Sequence, residues 1–546
     1  MFQPLLDLGL ADRAPSAGPS GVVYTKPWVV ELILNLSGYV EGPGLVDRLA
    51  IEPAAGAGAF LVGMARRLVA SCLAAGRPLG DCSRSLIAYE IGEAAADSAR
   101  SAVVDALVGL EVDHIEARSL AAGWVRRGDY LLDAPKLPRA DFVLGNPPYV
   151  RLEEIPEGTS RLYRSMYPTM RGRADLYVAF FEAALRQLAP GGVCTYICAD
   201  RWMLNRYGSD LRRLVTSGFA VEAVIEMHAA AAFDDDVSAY PAITRIRRAP
   251  QGPAVVARAS SAAPFGALDA TTPGLECALV PGWFAGDDPW PRGSPARLRL
   301  LRDLEARFEP LESATHGARV GIGVATGLDR VFITRDANLV EPSRLLPLAM
   351  AADTATGTLR WSGHHLVDPW GPDGLVDLDE FPRLKTYLES HAAPLRERHT
   401  ARRNPRGWYK TIDRVDHALT TAPKLYVPDI KERFNPVLDS GTTYPHHNLY
   451  YIQSDRWDLE ALGGILLSAV GQFFVECYGV RMRGGYLRFQ AQYLRRIRLP
   501  SPDRASGRLF DELVRAFREH DRTLATRAAA EAYGIDPAEL EATIGR

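Results

Sequence analysis

The sequence predicts an α/β protein whose first half folds as a doubly wound, mostly parallel sheet. Short apolar runs alternate with helical stretches over roughly the first 250 residues. A glycine-rich turn closely follows the first of these runs, and the tetrapeptide Asn-Pro-Pro-Tyr at 146–149 closely follows a later one. Alternation of this kind is typical of strands joined by crossover helices, and ligands on such sheets bind beyond the carboxyl ends of the strands.

Hydrophobic periodicity and run length place the individual elements. The predicted strands cover 49–51, 85–89, 141–144 and 193–199, and the predicted helices cover 59–73, 93–108 and 176–188. Pro190-Gly191-Gly192 ends the last of these helices and leads into the strand that follows it. Near the end of the chain, one charged helix is predicted over 509–530.

The length of 546 residues favours two or three domains over a single core. A stretch rich in Pro, Gly, Ala and Ser between 249 and 295 indicates a boundary. We therefore expect a loose leader over 1–20, a first domain over 21–250 and a second domain over 251–546. The second domain has irregular spacing and no clean period, and we expect it to be of mixed α/β type.

Hydrophobic residues make up 47% of the chain and charged residues 24%, the balance of a soluble globular protein. No run approaches the roughly 18 to 20 apolar residues of a membrane span. The N-terminal leader lacks the basic start and long apolar segment of a signal peptide. The six cysteines are scattered without a CxxC pair, so we expect a cytoplasmic protein with no membrane partner. The formal net charge of −3 argues against a nonspecific polyanion binder but leaves room for a local basic cleft.

Acidic residues and a glycine-rich turn mark a nucleoside-binding edge of the predicted sheet. Glu52 precedes the turn at Gly56 and Gly58, which opens a helix and lets a ligand approach the backbone. Glu90 closes the second strand, where a carboxylate can accept both ribose hydroxyls, and Asp129 is placed to accept from an adenine amino group. The Gly-x-Gly-x-x-Gly dinucleotide fingerprint is not met. Three acids suit a nucleoside with a cationic sulfonium better than one with a pyrophosphate.

The loop Asn146-Pro147-Pro148-Tyr149 carries the most chemical information in the chain. Two prolines fix the backbone and remove two donors, so the neighbouring carbonyls can accept hydrogen bonds. The Asn146 side-chain oxygen and the Pro147 carbonyl can then accept from one planar amino group and aim its nitrogen at a methyl donor. Tyr149 supplies a flat face on which a planar ring can stack.

In this order, the motifs from Gly21 to Arg248 resemble those of the gamma-class adenine DNA methyltransferases, the group with TaqI-like motif order. The resemblance implies a Rossmann-like class I methyltransferase domain with S-adenosylmethionine as its cofactor. It implies that the target adenine is flipped out of double-stranded DNA and is methylated directly on its 6-amino nitrogen. It also implies a restriction-modification or defence role, in which any cleavage belongs to a separate restriction endonuclease.

The resemblance assigns roles residue by residue. The residues expected to bind the cofactor are Thr25, Glu52, Ala54, Gly56, Gly58, Glu90, Asp129 and Phe180. The residues expected to be catalytic are Asn146, Pro147, Tyr149 and Phe233. The family often has Phe-Pro at the last position, whereas three aspartates follow Phe233 in this chain, so a core phenylalanine is the alternative interpretation.

Two basic stretches of the second half, 396–414 and 481–500, interleave arginines with aromatic residues. Such clusters neutralise phosphates and place arginine against guanine edges. A solvated surface is the alternative for either stretch alone, but their attachment to a base-modifying domain favours contact with DNA. The residues expected to contact DNA are Arg402, Arg403, Arg406, Arg483, Arg488, Arg495 and Arg496. The segment 321–332 also resembles target-recognition regions of type II methylases.

The sequence does not predict a metal site or a nuclease. His446 and His447 are adjacent, and neighbouring side chains on an extended segment point apart, so a shared ion is not expected. Asp429 and Lys431 form part of a metal-nuclease pattern. An independent nuclease domain needs about 100 residues, and only some twenty precede the first motif. We therefore expect a chain that acts as a monomer and modifies DNA without cutting it.

Three other functions share some of these features. A protein-glutamine methyltransferase presents the same planar amide to an Asn-Pro-Pro-Tyr loop, although such enzymes are much shorter. An RNA amino-group methyltransferase is a second alternative, and a non-catalytic recognition subunit of a larger restriction or defence complex is a third. Intact Glu52, Glu90, Asp129 and Asn146 argue against the non-catalytic interpretation.

Overall fold

The structure, a computed structural model, describes residues 24–234, 240–259, 266, 268, 274–291, 293–479 and 486–544. The chain divides into two compact units, Met1–Pro295 and Ala296–Arg546, which we call the first and the second unit. Within the described ranges, no single helix has both the length and the apolar composition needed to cross a membrane. One bent pair of helices, Leu459–Leu467 and Ala469–Tyr478, passes that test together, by length and composition alone.

The first unit is built from strands and helices that alternate along most of its length. Its strands are β1 (Ala50–Glu52), β2 (Leu86–Glu90), β3 (Val125–Arg127), β4 (Ala140–Gly145), β5 (Leu188–Ala199), β6 (Ala220–Glu226), β7 (Pro241–Arg247), β8 (Ala254–Ala259) and β9 (Leu275–Val280). Its helices are α1 (Pro27–Ser37), α2 (Ala59–Ala74), α3 (Glu93–Val108), α4 (His114–Trp124), α5 (Tyr130–Asp133), α6 (Glu157–Met166), α7 (Tyr177–Gln187) and α8 (Ser209–Thr216).

All nine strands of the first unit join one sheet in the order β3-β2-β1-β4-β5-β7-β6-β8-β9. The pairs from β3 through β5 are parallel, and β7 is antiparallel to both of its neighbours. The chain leaves β1 towards β2 on one side and reaches β4 on the other, so the switch point lies between β1 and β4. This confirms the predicted doubly wound α/β class, because the alternation of apolar runs reflects strands covered by crossover helices.

Apolar residues of helices α1 to α4 and of the sheet form a continuous core cluster in the first unit. Helix α1 begins with Pro27, whose fixed φ suits the first turn, and ends at Gly38 in the left-handed conformation. Helix α2 buries Phe60, Leu61 and Met64 in this core together with strand residues. Helix α3 covers the predicted range without change.

The sheet continues beyond the predicted limit of the first domain at residue 250. Strand β8 pairs with β6 in parallel, and β9 pairs with β8 antiparallel. The domain limit at residue 250, which was predicted from composition, lies in the turn between β7 and β8. The proline- and glycine-rich stretch after Arg247 thus contains two sheet strands as well as the connection to the second unit.

The second unit mixes short strands and helices, in agreement with the predicted α/β type. Its helices are α9 (Pro295–Arg307), α10 (Asp329–Phe332), α11 (Pro382–Ser390), α12 (Ala392–Glu397), α13 (His399–Arg403), α14 (Ala418–Thr421), α15 (Leu459–Leu467), α16 (Ala469–Tyr478), α17 (Ala491–Leu494), α18 (Arg508–Glu519), α19 (Arg522–Tyr533) and α20 (Pro537–Ile544). Its strands are β10 (Glu309–Pro310), β11 (Ala318–Ile322), β12 (Ile333–Thr334), β13 (Leu345–Ala349), β14 (His365–Val367), β15 (Trp370–Gly371), β16 (Gly374–Leu375), β17 (Lys424–Pro428), β18 (Ile430–Lys431), β19 (Val437–Asp439), β20 (Tyr444–Pro445), β21 (Leu449–Ser454), β22 (Leu487–Arg488) and β23 (Arg498–Leu499).

Two four-stranded sheets organise the second unit, with the orders β11-β21-β17-β19 and β12-β14-β13-β20. The single charged helix predicted over 509–530 is wrong, because the structure has two helices there, α18 and α19. His520 ends α18 in the left-handed conformation, and the Asp521 side chain caps α19 by accepting from the backbone N–H groups of Thr523 and Leu524. The local capping chemistry outweighs the continuous helical pattern.

Candidate functional site

The glycine-rich turn lies at the carboxyl end of β1, next to the switch point. Gly56 and Gly58 have φ values of 54° and 95°, a region that glycine adopts at little cost. A Cβ atom on Gly58 would lie 3.2 Å from the Cα of Ala99 in α3, so the turn also needs glycine for close packing. Ala54 is partly buried in the same turn, and the backbone N–H of Ala55 donates to the carbonyl of Tyr89 at 2.8 Å.

The Glu90 carboxylate fastens this turn to the end of β2. One of its oxygens accepts from the backbone N–H of Gly56 and the other from that of Gly92, each at 2.8 Å. A carboxylate oxygen accepts more than one hydrogen bond, so this geometry is compatible with contacts to ribose hydroxyls. The sequence predicted the ligand contact, which stays a prediction, and missed that Glu90 also shapes the turn.

Glu52 is a buried acid at the last position of β1. Its residue is 1% exposed, and its Oε2 atom makes no hydrogen bond with any described residue. Burial, and then the negative charge of Glu90, raise the pKa of Glu52 well above its ordinary value. Such a group gains most from a ligand that donates hydrogen bonds or carries positive charge.

Asp129 lies just after β3, the strand next to β2, and its side chain caps α5. Its carboxylate accepts from the backbone N–H of Leu131 at 2.9 Å and from the hydroxyl of Tyr163 at 2.5 Å. Burial raises the pKa of Asp129, although both hydrogen bonds act in the opposite direction. Sequence reasoning missed Tyr163, which lies on α6 in a segment without a recognisable motif. Phe180 is buried, and its ring stacks on Tyr130 with centroids 5.6 Å apart.

The Asn-Pro-Pro-Tyr loop begins directly after Gly145, the last residue of β4. The Asn146 amide donates from Nδ2 to the Oγ1 atom of Thr25 at 3.2 Å. Pro147 is buried and Tyr149 partly buried, and the Tyr149 hydroxyl is 3.5 Å from the carbonyl oxygen of Ile197 on β5. The structure therefore places the side chains of Asn146 and Thr25, predicted to act on substrate and cofactor, in direct contact.

Phe233 pairs with the segment that contains Thr25. The two residues form an antiparallel bridge, and the N–H groups of Lys26 and Asp234 donate to the carbonyls of Ala232 and Tyr24 at 3.0 and 3.1 Å. The Phe233 ring is 6.4 Å from that of Tyr149 at an interplanar angle of 82°. Phe233 is 8% exposed and packs in the core of the first unit. The same side chain therefore belongs to the core and contacts the Tyr149 ring. Admitting a planar ring between the two aromatics requires one of them to rotate.

His228 lies between two acids at the carboxyl edge of the same sheet, and the sequence reading missed it. Its Nε2 atom is 2.9 Å from Asp200, which directly follows β5, and its Nδ1 atom is 3.3 Å from Glu226, the last residue of β6. The position of both acids at the ends of strands is the sequence feature that could have indicated this histidine–carboxylate cluster. The His228 contacts fix the start of the connection that leads to Phe233.

The arginines of the first basic stretch differ in what they contact. Arg402, Arg403 and Arg406 are exposed, and none forms an ion pair with another described residue. Their neighbour Arg398 instead donates to the carbonyls of Thr326, Trp408 and Lys410 and so holds the chain in place. The stretch thus divides into arginines that organise the second unit and arginines that face outward.

In the second stretch, the three described arginines that were predicted to contact DNA contact other residues of the second unit. Arg488 forms a two-pronged ion pair with Asp429, and Arg495 pairs with Glu312 at 2.6 Å. The Arg496 guanidinium lies 5.5 Å from the centre of the Tyr478 ring. Arg483 lies outside the described residues. The pairing also occupies Asp429, the acid of the partial nuclease pattern.

The expectation that His446 and His447 point apart is wrong. Their ring centroids are 4.0 Å apart, and Asp329 approaches them, with its Oδ2 atom 3.4 Å from His446 Nε2. The reason is that the pair occupies a turn between β20 and β21 rather than an extended strand. The backbone N–H of Leu449 closes this turn by donating to the His446 carbonyl at 2.8 Å.

The sheet order and its switch point identify the class of protein. The chain has the fold of the class I S-adenosylmethionine-dependent methyltransferases, as the sequence predicted. A solved structure with this likeness is that of the type IIL restriction-modification enzyme MmeI in complex with DNA. The TM-score is 0.56 at 14% sequence identity, over 95% of this chain and 73% of that chain. At this identity the likeness shows the fold alone.

Relatives of known family match nearly the whole chain. The type II methyltransferase M.PaeR7I of Pseudomonas aeruginosa is 43% identical over 96% of this chain and 93% of its own length. M.XhoI of Xanthomonas vasicola is 42% identical over 95% of this chain and 98% of its own length. The family described as Eco57I restriction-modification methylase matches residues 138–233, from the segment before β4 through Phe233. The chain belongs to the type II methyltransferases of restriction-modification systems, in the gamma class that its motif order indicated.

Proposed function

We propose that this protein methylates the 6-amino group of an adenine in double-stranded DNA, with S-adenosylmethionine as methyl donor and the target base flipped out of the helix. The observation that carries the proposal is the contact between Asn146 and Thr25 beside the ring pair of Tyr149 and Phe233. These groups come from β4 and from two distant segments, and they converge at the switch point where ligands bind in this fold.

Asn146 and Pro147 supply the acceptors for the target amino group. The hydrogen bond to Thr25 orients the Asn146 amide, so that its side-chain oxygen serves as acceptor beside the Pro147 carbonyl. Two accepted hydrogen bonds draw the lone pair of the nitrogen out of conjugation with the ring. This lone pair would accept the methyl group that a bound S-adenosylmethionine would supply, with the electron pair of the S–C bond left on sulfur and the proton of the nitrogen lost to solvent.

The residues at the ends of β1 and β2 fit the proposed donor. When bound, S-adenosylmethionine supplies an electrophilic methyl group on a cationic sulfonium. Glu52 offers a buried carboxylate oxygen that no described residue satisfies, and Gly58 keeps the turn free of side chains. In the proposed complex, Glu90 accepts from the ribose hydroxyls, Asp129 accepts from the adenine amino group, and the Phe180 ring packs against the adenine. A cationic ligand beside Glu52 favours its ionised form.

Tyr149 and Phe233 are suited to hold a flipped base between them. Stacking on aromatic side chains is worth about 1–3 kcal/mol per base and offsets part of the loss of stacking in the duplex. The two rings contact each other edge to face, with their centroids 6.4 Å apart. Among the described residues, the Tyr149 hydroxyl hydrogen-bonds only to the Ile197 carbonyl, at 3.5 Å, so we propose that the ring rather than the hydroxyl holds the base.

The test is methyl transfer from labelled cofactor to duplex DNA, to RNA and to a release-factor-like protein, followed by digestion and identification of the product. We expect label in N6-methyladenine from duplex DNA alone. Label in cytosine would contradict the adenine assignment, and label in RNA or in glutamine would support one of the alternative methyltransferases. An unlabelled product in all three arms would support the non-catalytic alternative.

We further propose that the second unit binds double-stranded DNA through Arg402, Arg403 and Arg406. The three guanidinium groups are exposed, and Trp408 nearby lies under Arg396 at 4.8 Å. Unpaired exposed arginines neutralise phosphates at lower cost than arginines that must first leave an ion pair. We therefore rank this cluster ahead of Arg488, Arg495 and Arg496 for DNA contact. One chain contains every proposed group, so we propose that it acts as a monomer, with cleavage left to a separate endonuclease.

A further inference from the structure

We propose that Asp329, His446 and His447 bind one divalent transition-metal ion in the second unit, and that zinc is the ion they fit. The three side chains offer one carboxylate oxygen and two imidazole nitrogens, all within 4.8 Å of one another. Two imidazoles and a carboxylate form a ligand set that zinc accepts, with a fourth position left for water or another oxygen. No methyl-transfer step uses this ion.

The buried histidine supplies the first line of support. His446 is 2% exposed, and neither of its ring nitrogens makes a hydrogen bond within the described part of the chain. The Nδ1 atom of His447 is also buried, and no described residue hydrogen-bonds to it. Buried polar atoms are nearly always satisfied, and an ion bound through one nitrogen of each ring would satisfy two of these three nitrogens.

The distances between the ligand atoms are the second observation that supports the site. The Oδ2 atom of Asp329 is 3.4 Å from Nε2 of His446. Two ligand atoms bound to a tetrahedral zinc ion at about 2.0–2.1 Å lie about 3.3 Å apart. The pair already has this spacing, and the third ligand atom, on His447, lies within 4.8 Å of both.

The backbone around the three ligands is fixed from several sides. The N–H groups of His446 and His447 donate to the carbonyls of Ala349 and Val324 at 3.0 and 3.1 Å. A Cβ atom on Gly323 would lie 2.2 Å from the His446 carbonyl oxygen, so only glycine allows this approach. The two histidine ligands therefore lie on a turn that backbone contacts hold without metal, as a preformed site requires.

The hydrogen bonds that hold Asp329 and Thr326 resemble those that orient metal ligands. The Thr326 hydroxyl donates to Oδ1 of Asp329, and this leaves Oδ2 directed towards His446. The Thr326 carbonyl in turn accepts from Arg398 at 3.0 Å. A hydrogen bond from a neighbouring residue to a carboxylate ligand fixes its orientation, and its loss weakens metal affinity about 10–100-fold. The bound ion would join the first residue of α10 to the turn after β20.

The experiment uses the full, untagged chain after chelation and dialysis, with Zn²⁺ titrated by calorimetry and Co²⁺ followed by visible absorption. We expect one equivalent of Zn²⁺ and a Co²⁺ ligand-field spectrum of low coordination number. Asp329→Asn and His447→Ala should each weaken Zn²⁺ binding by at least about a hundredfold, and Thr326→Val by about tenfold. The matched control is His399→Ala, an exposed histidine of the same unit, which should bind as the unaltered protein does.

Thermal unfolding separates metal loss from misfolding. Zn²⁺ at a hundredfold excess over its dissociation constant should raise the Tm of the unaltered chain by about 3 °C or more, and it should leave the Tm of Asp329→Asn unchanged. Asp329 is half exposed, so this variant should fold without metal. Absence of stoichiometric zinc binding, or equal binding by Asp329→Asn and His399→Ala, would overturn the proposal.

Discussion

Replacing Glu52 by glutamine should weaken cofactor binding and stabilise the unliganded protein. The substitution keeps the shape of the side chain and removes its charge. In the proposed complex the buried carboxylate accepts from a cationic ligand, and a hydrogen bond of a charged group contributes about 1.5–3 kcal/mol. Its loss corresponds to a dissociation constant about 10–150-fold higher. Calorimetric titration with S-adenosylmethionine measures this change directly.

The pH dependence of stability gives the second half of this prediction. Because the folded pKa of Glu52 is raised, its ionisation destabilises the unliganded fold progressively from the unfolded pKa of about 4.3 up to the raised folded pKa. Each pKa unit of that shift costs about 1.4 kcal/mol. Above the raised pKa the cost is constant, and below about pH 4 it vanishes.

Glu52→Gln should therefore raise the Tm of the unliganded chain at pH 8 by about 3 °C or more, and it should have little effect near pH 4. Glu93→Gln is the matched control, because Glu93 is an exposed carboxylate on the neighbouring helix α3. We expect this control to change neither cofactor affinity nor the pH profile. The reasoning about Glu52 is refuted if its variant binds the cofactor as tightly as the unaltered protein and shows the same Tm at pH 8.

Three further predictions concern the target base, the DNA and cleavage. Tyr149→Phe should keep most methyl transfer and Tyr149→Ala should lose it, since stacking contributes about 1–3 kcal/mol; equal losses would point to a role for the hydroxyl. Neutralising Arg402, Arg403 and Arg406 together should lower the slope of log K against log salt by up to about three, whereas Arg518→Gln, which breaks an exposed pair with Glu460, should leave it unchanged. Incubation of unmethylated genomic DNA with the protein, magnesium and cofactor should give no fragments; discrete fragments that vanish in Asp429→Ala would contradict this.

The positions of the catalytic loop and of the acids could be predicted because they follow strands. Glu52, Glu90 and Asn146 each lie at or directly after the carboxyl end of a parallel strand, and apolar runs locate such strands in the sequence. The pairing of Thr25 with Phe233 could not be derived from periodicity, since it joins distant segments outside the sheet. Only the resemblance to a family connected these two residues with the site.

The second unit was harder to predict because its charges are paired across long stretches of chain. Arg488 and Asp429 are 59 residues apart, so nothing local distinguishes Arg488 from an exposed arginine such as Arg402. The turn that brings His446 against His447 depends on backbone contacts with Ala349 and Val324, which a sequence pattern does not reveal. The sequence identified the residue types of this unit but not their partners.

The most direct test of the account is the rate of methyl transfer by Asn146→Ala, measured together with its affinity for S-adenosylmethionine. Removing an acceptor that responds to charge in the transition state costs about 3–4 kcal/mol, which corresponds to a rate lower by about 10²–10³. We expect that loss in single-turnover transfer to duplex DNA, with cofactor affinity within about threefold of the unaltered protein. Substantial residual turnover in the Asn146→Ala variant, with the cofactor bound, would contradict the assignment of this loop as the catalytic one.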